Sequence, residues 1–330
     1  MGTADTMAAG SRPPQAAANA KSFAARLRNG DEIAHLITLI FAALVCLIVG
    51  LLVFQLYRNS SVSRHQFGWT FFVSRAWDPV FGDFGALPFI YGTVVTSVLS
   101  LMIAVPLGVG GAIFLAEFAP PRLSDMLTFV VELLAAVPSV IFGLLGIFVV
   151  VPVMRTTVDP FLQKFLGYTP LFTGPIYGVG FLTAGVVLAI MIVPYILSVS
   201  REVLLAVPAD QREAALGLGA TRWEAIWQVV VPYAKTGILG SIFLALARAL
   251  GETMAVTMVI GNDPKISASL LAPGYTIAAV IANEFTEATG KLYLQSLIEL
   301  GLVLFIITVI LNGLARLLIL ATTKGGTIQT

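Results

Sequence analysis

The sequence predicts an all-α integral membrane protein with six transmembrane helices. Of its 330 residues, 58% are hydrophobic and only 11% are charged, whereas about a quarter of the residues in a soluble domain are charged. The mean hydropathy of +0.93 agrees with this class. Six apolar stretches reach the length of about 20 residues that a helix needs to cross a hydrocarbon core of about 30 Å. They lie at roughly 36–56, 91–115, 127–153, 176–199, 235–260 and 295–320.

The first apolar stretch is expected to be a span and not a signal peptide, because a polar tail precedes it and it is too long for a signal sequence. Residues 1–35 form this cytoplasmic N-terminal tail, and its first 20 residues, rich in Ala, Ser, Pro and Gln, are predicted to be disordered. Residues 36–330 are predicted to form one transmembrane domain.

The remaining composition excludes several classes of site. A net charge of +1 argues against nucleic-acid binding, which needs a concentrated basic face. The single cysteine, Cys46, cannot form an intrachain disulfide, and no Cys/His cluster indicates a metal. The sequence therefore predicts neither a metal site nor a cofactor.

Lys and Arg in the loops predict the orientation of the chain. With the N-terminus inside, the inner segments hold eleven of these residues and the outer segments hold seven. Cytoplasmic loops carry the excess of positive charge in membrane proteins. Because the number of spans is even, both termini are expected in the cytoplasm.

The predicted spans contain prolines and a row of hydroxyl groups. Pro106, Pro138 and Pro194 fall inside the second, third and fourth spans, where each is expected to kink its helix and shape an internal cavity. The second span also carries four hydroxyl residues at i, i+3, i+4 and i+7, which share one helix face. This stripe either lines a polar path or seals a helix interface. Its members are Thr93, Thr96, Ser97 and Ser100.

The loop at about 201–234, between the fourth and fifth spans, is too long for a plain connector. Asp210 with Glu213 resembles a capping box, and Thr221 with Glu224 has the full S/T-x-x-E form. The loop is therefore expected to form two short helices.

Two glycines, Gly217 and Gly219, supply the turn between these predicted helices, and Pro232 begins the return into the membrane. The first helix presents Glu213, Ala214, Ala215 and Leu216 as a small, partly apolar surface. Such a surface suits docking into a groove on a partner, although a loop packed on itself would have the same sequence.

Glu213-Ala214-Ala215, then Gly219, then Pro232 resemble the EAA loop of the membrane permeases of ABC importers. The family usually has Leu before the proline, where this chain has Val231, which keeps an apolar contact. The resemblance implies that this loop is the coupling helix, seated in a cleft of a cytoplasmic ATPase. It also implies a bundle like that of the type I importer permeases.

Three further stretches, 77–97, 132–146 and 248–256, resemble the PstC-type permeases of high-affinity phosphate importers. This resemblance implies a heterodimer with a second, similar permease, two ATP-hydrolysing subunits and an extracytoplasmic phosphate-binding protein. The chain has no G-x-x-x-x-G-K-[ST] phosphate loop, so it is not expected to bind ATP or to act as an enzyme.

Arg248 and Glu252 are two charges in a stretch otherwise apolar enough to cross a membrane. A charge at the bilayer centre costs roughly 2.5–3.5 kcal/mol on insertion scales. The donor fork of an arginine suits phosphate, which it grips with two hydrogen bonds. Glu252, one helical turn further on, is expected to be its counter-ion, although Arg before Glu is the weaker order for a helix pair.

Three interpretations of this pair are open. In the first, Arg248 attracts the anion and Glu252 neutralises the arginine until phosphate arrives. In the second, both residues tie the helix to a partner permease. In the third, Glu252 is the proton site of a secondary transporter. Function has matching alternatives: an importer of another oxyanion such as sulfate or molybdate, a proton-coupled carrier, or an assembly scaffold.

Overall fold

The computed structural model describes residues 31–324. This part of the chain is built of helices with one short hairpin. The hairpin pairs strands β1 (Trp77–Asp78) and β2 (Asp83–Phe84) in antiparallel register. The helices are α1 (Asp31–Asn59), α2 (Ser61–Phe67), α3 (Thr70–Val73), α4 (Leu87–Phe118), α5 (Pro121–Ala135), α6 (Ser139–Leu166), α7 (Phe181–Leu205), α8 (Ala209–Gly217), α9 (Arg222–Gly251), α10 (Met254–Val259), α11 (Ile277–Glu284) and α12 (Lys291–Lys324).

Six helices within residues 31–324 are long and apolar enough to cross a membrane, which confirms the predicted number of spans. Short π-helical turns occur in three of them: one forms the last turn of α4, and the others lie within α6 and α9. The spans are Ala34–Asn59, Leu87–Phe118, Ser139–Leu166, Phe181–Leu205, Arg222–Gly251 and Lys291–Leu317. The π turns lie at Phe114–Phe118, Gly146–Val150, Met154–Val158 and Ile226–Val230.

The third span differs from the predicted 127–153, because Pro138 breaks the helix and does not merely kink it. Helix α5 ends at Ala135, and α6 restarts at Ser139 after an extended Pro138. A proline has no N–H to continue the ladder and pushes the residue before it out of the helical region. Pro106 and Pro194, in contrast, lie inside continuous helices.

The fifth span also differs from the predicted 235–260. It begins thirteen residues earlier, at Arg222, because a capping box on Thr221 starts the helix there. It ends at Gly251, because Glu252 has an extended backbone with φ −69° and ψ 126°. Most of the remaining residues of the predicted span form the separate helix α10 (Met254–Val259).

The chain divides into two units, with the boundary inside α1 between Gln55 and Leu56. In the second unit, α4 and α7 pack along most of their length around a buried apolar core. Small residues allow this close approach: a Cβ on Gly108 would lie 2.8 Å from Ile196, and one on Gly185 would lie 2.9 Å from Leu99.

Two further apolar clusters mark the two ends of this unit. The first cluster joins the C-terminal ends of α4 and α7 to the N-terminal part of α9, beside α8. We call this end of the unit the EAA end. The second joins the β hairpin, α11 and the start of α12, and we call this end the mouth end. At the mouth end, burial raises the pKa of Tyr275 to about 12, although its hydroxyl accepts a hydrogen bond from Asn283.

Candidate functional site

The loop at the EAA end is built around a glycine that turns the chain. Helix α8 ends at Gly217, and Gly219 follows with φ +92°, a left-handed conformation that disfavours other residues. The chain then enters α9 through Thr221, whose hydroxyl accepts from the Glu224 N–H at 3.3 Å. The Glu224 carboxylate accepts in return from the Thr221 N–H at 2.8 Å. The capping box predicted at Thr221 is therefore confirmed.

Two details of the predicted loop are wrong. Asp210 does not cap a helix, because α8 starts one residue earlier with Pro208 at the cap and has no side-chain cap. The second predicted helix is not separate either. Residues Arg222–Ala225 continue through the π turn into the fifth span, because Pro232 is already in the first turn of the segment that follows that π turn.

The surface of this loop contains a depression of about 590 Å³. Glu213 and Ala214 on α8 are exposed, and the side chain of Leu218 beside it is 91% exposed. An exposed Leu at the tip of a short helix is available for contact with another protein. The depression is lined by Gln211, Ala214, Ala215, Leu218, Gly219, Ala220, Glu224, Gln228 and Val229.

Arg248 lies in the last turn of α9, three residues before the helix ends. The C-terminal end of a helix carries a partial negative charge, which stabilises a cation in the last turn. The Nε atom of Arg248 is buried and has no hydrogen-bond partner among the described residues. The C-terminal end of α9 thus stabilises the charge of Arg248, while the Nε donor of its guanidinium stays unused.

The ring of Tyr195 contacts the guanidinium group of Arg248. The guanidinium carbon of Arg248 lies 4.3 Å above the centre of the Tyr195 ring, within the range of a cation–π contact. The Tyr195 hydroxyl donates to the Ala135 carbonyl at 3.1 Å. Ala135 is the last residue of α5, where carbonyls lose their helical partners. One side chain of α7 therefore joins Arg248 to the break in the third span.

Glu252 does not occupy the position that the sequence predicted. Because α9 ends at Gly251, Arg248 and Glu252 are not one turn apart on a continuous helix. The ion pairs found among residues 34–317 do not include this pair. A carboxylate oxygen of Glu252 instead accepts from the N–H of Ala255, in the first turn of α10, at 3.3 Å.

The breaks in the third and fifth spans lie side by side. A Cβ on Gly143 would clash with Met258 and lie 3.2 Å from the Cα of Ala255. A Cβ on Gly146 would lie 2.6 Å from Val259. A residue further along α6 contacts a residue further along α10. The two helices therefore run parallel from neighbouring starting points. Arg248, Glu252 and both breaks therefore surround one region of the bundle.

The hydroxyl stripe is buried in this conformation. Thr96 is 2% exposed and donates to the Gly92 carbonyl at 2.8 Å, and Ser100 donates to the Ser97 carbonyl at 2.8 Å. The Ser97 hydroxyl is buried without a partner among the described residues. Thr93 accepts from the N–H of Ile277 at 3.0 Å and so joins α4 to α11.

Sequence reasoning identified Arg248 and the loop glycine but missed Tyr195. Nothing in the spacing of the sequence brings residue 195 to residue 248, since they lie on different spans. The available signal was weak: an aromatic residue with a polar tip directly after Pro194, inside an apolar span.

The chain matches a known family over most of its spans. The family described as binding-protein-dependent transport system inner membrane component matches residues 108–323. Among solved structures, a bacterial ABC transporter involved in the import of the acidic polysaccharide alginate has a chain with a TM-score of 0.53 and 18% identity. The match covers 88% of this chain and 98% of that one. An inward-facing MetNI methionine ABC transporter gives a TM-score of 0.52 at 16% identity, over 71% and 96% of the two chains.

Relatives with much higher identity carry one name. The phosphate transport system permease protein PstC of Mesorhizobium japonicum is 48% identical over 88% of this chain and 90% of its own length. The protein of the same name from Xylella fastidiosa is 49% identical over 78% and 80%. A probable PstC from Methanocaldococcus jannaschii is 35% identical over 87% and 92%. Together with the six spans and the fold shared with the importers above, these matches show that the chain belongs to the binding-protein-dependent transport system inner membrane components and, within them, to the PstC-type permeases of ABC importers.

Proposed function

We propose that this chain is one permease half of an ATP-driven phosphate importer. The observation that carries the proposal is the 48% identity to a phosphate permease over nearly the whole of both chains. The partners are a second, homologous permease, a pair of ATPase subunits and an extracytoplasmic phosphate-binding protein. Both termini lie in the cytoplasm of a bacterial inner membrane. ATP hydrolysis belongs to the partner subunits, and this chain performs no covalent chemistry.

Glu213, Ala214, Ala215 and Gly219 form the contact with the ATPase. The exposed α8 and the depression beside it support this proposal, since a short helix on a compact turn fits a groove in a partner. The turn continues without a loop into α9, which ends next to Arg248. One helix thus joins the docking surface to the anion site.

Arg248 is the group that meets phosphate. The end of α9 stabilises its charge and the Tyr195 ring covers one face, so the guanidinium keeps donors for the anion without a carboxylate partner. An arginine free of a salt bridge binds phosphate without first breaking one. Glu252, at the adjacent break, repels the anion and favours its onward release.

Thr96, Ser97 and Ser100 belong to the pathway only when the bundle changes conformation. Their hydroxyls have backbone partners or face packed neighbours in the present state. Movement of α4 relative to its neighbours would turn this stripe into a polar wall, because hydroxyls exchange a backbone carbonyl for a passing anion at small net change in free energy. The prolines within α4 and α7 favour such movement.

Replacing Arg248 with Gln tests the proposal. In proteoliposomes that hold the complete importer with its binding protein, uptake of labelled phosphate is expected to fall by about a hundredfold, since charge-assisted hydrogen bonds contribute about 1.5–3 kcal/mol each. The complex is expected to assemble normally. The matched control is Arg155→Gln, which changes an exposed arginine of the third span and is expected to leave uptake intact.

Four results would contradict the proposal or a part of it. Normal uptake by the Arg248→Gln importer would remove this residue from the pathway, and loss of assembly would assign it to the contact with the partner permease. Uptake of sulfate or molybdate in preference to phosphate would change the substrate. Uptake that survives without ATP and collapses with the proton gradient would make the protein a proton-coupled carrier.

A further inference from the structure

Glu117 at the end of α4 faces Arg212 on α8. The Oε1 atom of Glu117 lies 3.0 Å from the Nη2 atom of Arg212. The same nitrogen donates to the Leu204 carbonyl, near the end of α7, at 2.7 Å. Because the Nη2 atom donates to the Leu204 carbonyl, its contact with Glu117 is not aligned as a hydrogen bond. The contact with Glu117 is therefore an ion pair only. One arginine of the coupling loop therefore touches the ends of two spans.

The position of Glu117 is unfavourable without this partner. It lies in the π turn Phe114–Phe118 that ends α4, and an acidic residue at the C-terminal end of a helix opposes the helix dipole. The two side chains are only 12% and 25% exposed. A partly buried carboxylate without a positive partner is strongly destabilising. The ion pair with Arg212 therefore accounts for an acid where the helix disfavours one.

A second arginine holds the same end of α4. The Nε and Nη2 atoms of Arg201, on α7, donate to the Ser124 hydroxyl at 3.3 and 3.1 Å. The Ser124 hydroxyl donates in turn to the Leu115 carbonyl, inside the π turn, at 2.8 Å. Asp125 lies 3.6 Å from the same arginine. The end of the second span is thus bound to α7 on one side and to α8 on the other.

Apolar packing beneath these polar contacts makes the EAA end a single rigid unit. Leu204 and Val207 lead into α8, Ile226 and Val230 lie in the π turn of α9, and Leu115 lies in that of α4; all five are buried in one cluster. Close-packed cores of this kind transmit displacement and do not absorb it. Movement of α8 is therefore passed to the helices around it.

We infer that Glu117 and Arg212 form a strut that carries the movement of the coupling helix α8 into the second span. The inference rests on the proposed coupling role of α8. The strut matters because α4 also carries Pro106 and the hydroxyl stripe. A displacement of the end of α4 is therefore transmitted to these residues in the centre of the bundle. Glu117 and Arg212 are positioning residues and do not touch the transported anion.

The test is a double-mutant cycle in the complete importer, reconstituted in proteoliposomes with its binding protein. The variants are Glu117→Gln, Arg212→Gln and both together, and the quantity measured is phosphate imported per ATP hydrolysed. Each single variant is expected to lower this ratio by about three- to tenfold, and the double variant is expected to be no worse than the lower single variant, because residues of one unit are not additive. The matched control is Glu202→Gln, which removes an exposed carboxylate that also pairs with an arginine and is expected to leave the ratio unchanged.

A wild-type ratio in Glu117→Gln overturns the strut, and so do losses that multiply in the double variant. If Glu117→Gln does not assemble with the ATPase, the variant Glu117→Asp, which keeps the charge, decides the question. Assembly of Glu117→Asp with at least half of the normal ratio of phosphate to ATP supports the strut. Failure of this variant to assemble, or a lower ratio, overturns the strut. The wild-type importer separates the two proposals. If it imports no phosphate, the proposed function is wrong, whereas normal import by every variant refutes the strut alone.

Discussion

Arg248 carries its charge at a helix end and against an aromatic ring. The last turn of α9 supplies the negative end of a helix dipole, and the ring of Tyr195 supplies a negative face. Both are fixed features of the fold. The Nε donor of the arginine has no hydrogen-bond partner among the described residues, as the proposed role in anion binding requires. An acidic counter-ion would have competed with the anion for the same donors.

Tyr195 is expected to matter through its ring more than through its hydroxyl. In Tyr195→Leu the cation–π contact is lost, and the initial rate of phosphate uptake is expected to fall by about five- to thirtyfold, in line with a contact of about 1–2 kcal/mol. Tyr195→Phe keeps the ring and loses only the hydrogen bond to Ala135, so it is expected to keep more than half of the rate. Tyr168→Leu, at an exposed ring, is the control. Equal losses in the Leu and Phe variants at position 195 would mean that the hydroxyl alone is important.

At this scale the sequence predicted the charged residue but not its surroundings. Arg248 is visible because a charge in an apolar stretch needs a reason. Its predicted pairing with Glu252 assumed that the helix continues, and no Gly-Pro or Asn-Gly pair near residue 252 indicates a break. The extended backbone of Glu252 depends on packing between α10 and α6, which is a tertiary contact.

The loop between α8 and α9 shows how one backbone angle positions a helix. Gly219 has φ +92°, and a Cβ there would meet nothing within 4 Å. Most larger residues are therefore disfavoured by the backbone conformation and not by lack of space. The direction in which α8 leaves the bundle depends on this angle.

Gly219→Val is expected to weaken both ATPase binding and phosphate uptake, because a β-branched residue at positive φ costs about 1–3 kcal/mol. Asn tolerates this conformation, so Gly219→Asn is expected to keep more of both activities. Gly217→Val is the matched control: it also has open space around it, but it lies in a helix. Co-purification of the ATPase and uptake in vesicles measure the effect. An equal loss in Gly217→Val would show that the exposed surface, and not the turn, is what matters.

Local elements followed from the sequence where a local signal exists. The capping box predicted at Thr221 is present, since it is a side chain bonding to the backbone three residues on. The β hairpin before α4 was not predicted. Its strands are two residues long, and packing of Phe84 and Trp77 against Tyr293 holds them.

The packing of the whole bundle closes the hydroxyl stripe of α4 in this conformation. If α4 moves during transport, Thr96 is expected to become accessible only during turnover. In a Cys46→Ser background, Thr96→Cys is expected to resist a water-soluble thiol reagent at rest and to react while the importer hydrolyses ATP. Val80→Cys, at an 88% exposed position of the hairpin, is expected to react in both states.

An absence of labelling of Thr96→Cys during active transport would show that the stripe is only an interface between helices. Labelling at rest would mean that the interface is already open to water. The measurement thus separates the two interpretations that the sequence left open, which differ in the movement of α4 and not in its static contacts.

The number of spans was predictable for a whole-molecule reason. A helix in lipid must satisfy all its backbone groups internally, so length and hydropathy count the spans directly. Their limits were less predictable at Pro138 and Glu252, where one predicted apolar stretch is divided between two separate helices. The hydropathy of a broken span is the same as that of a continuous one.

The length of α9 has a consequence for the membrane itself. Its 30 residues measure about 45 Å along the axis, and a typical tilt of about 20° leaves about 42 Å across the bilayer. A hydrocarbon core of about 30 Å leaves at least about 12 Å of this helix outside it. Trp223 and Trp227 lie within the first six residues of this helix, and tryptophans are enriched at the lipid–water boundary, so we expect the start of α9 to be the part that projects. The fifth helix is therefore long enough to act as a stalk, and a stalk of this length would hold the proposed ATPase clear of the headgroups, at a height that depends on the thickness of the hydrocarbon core.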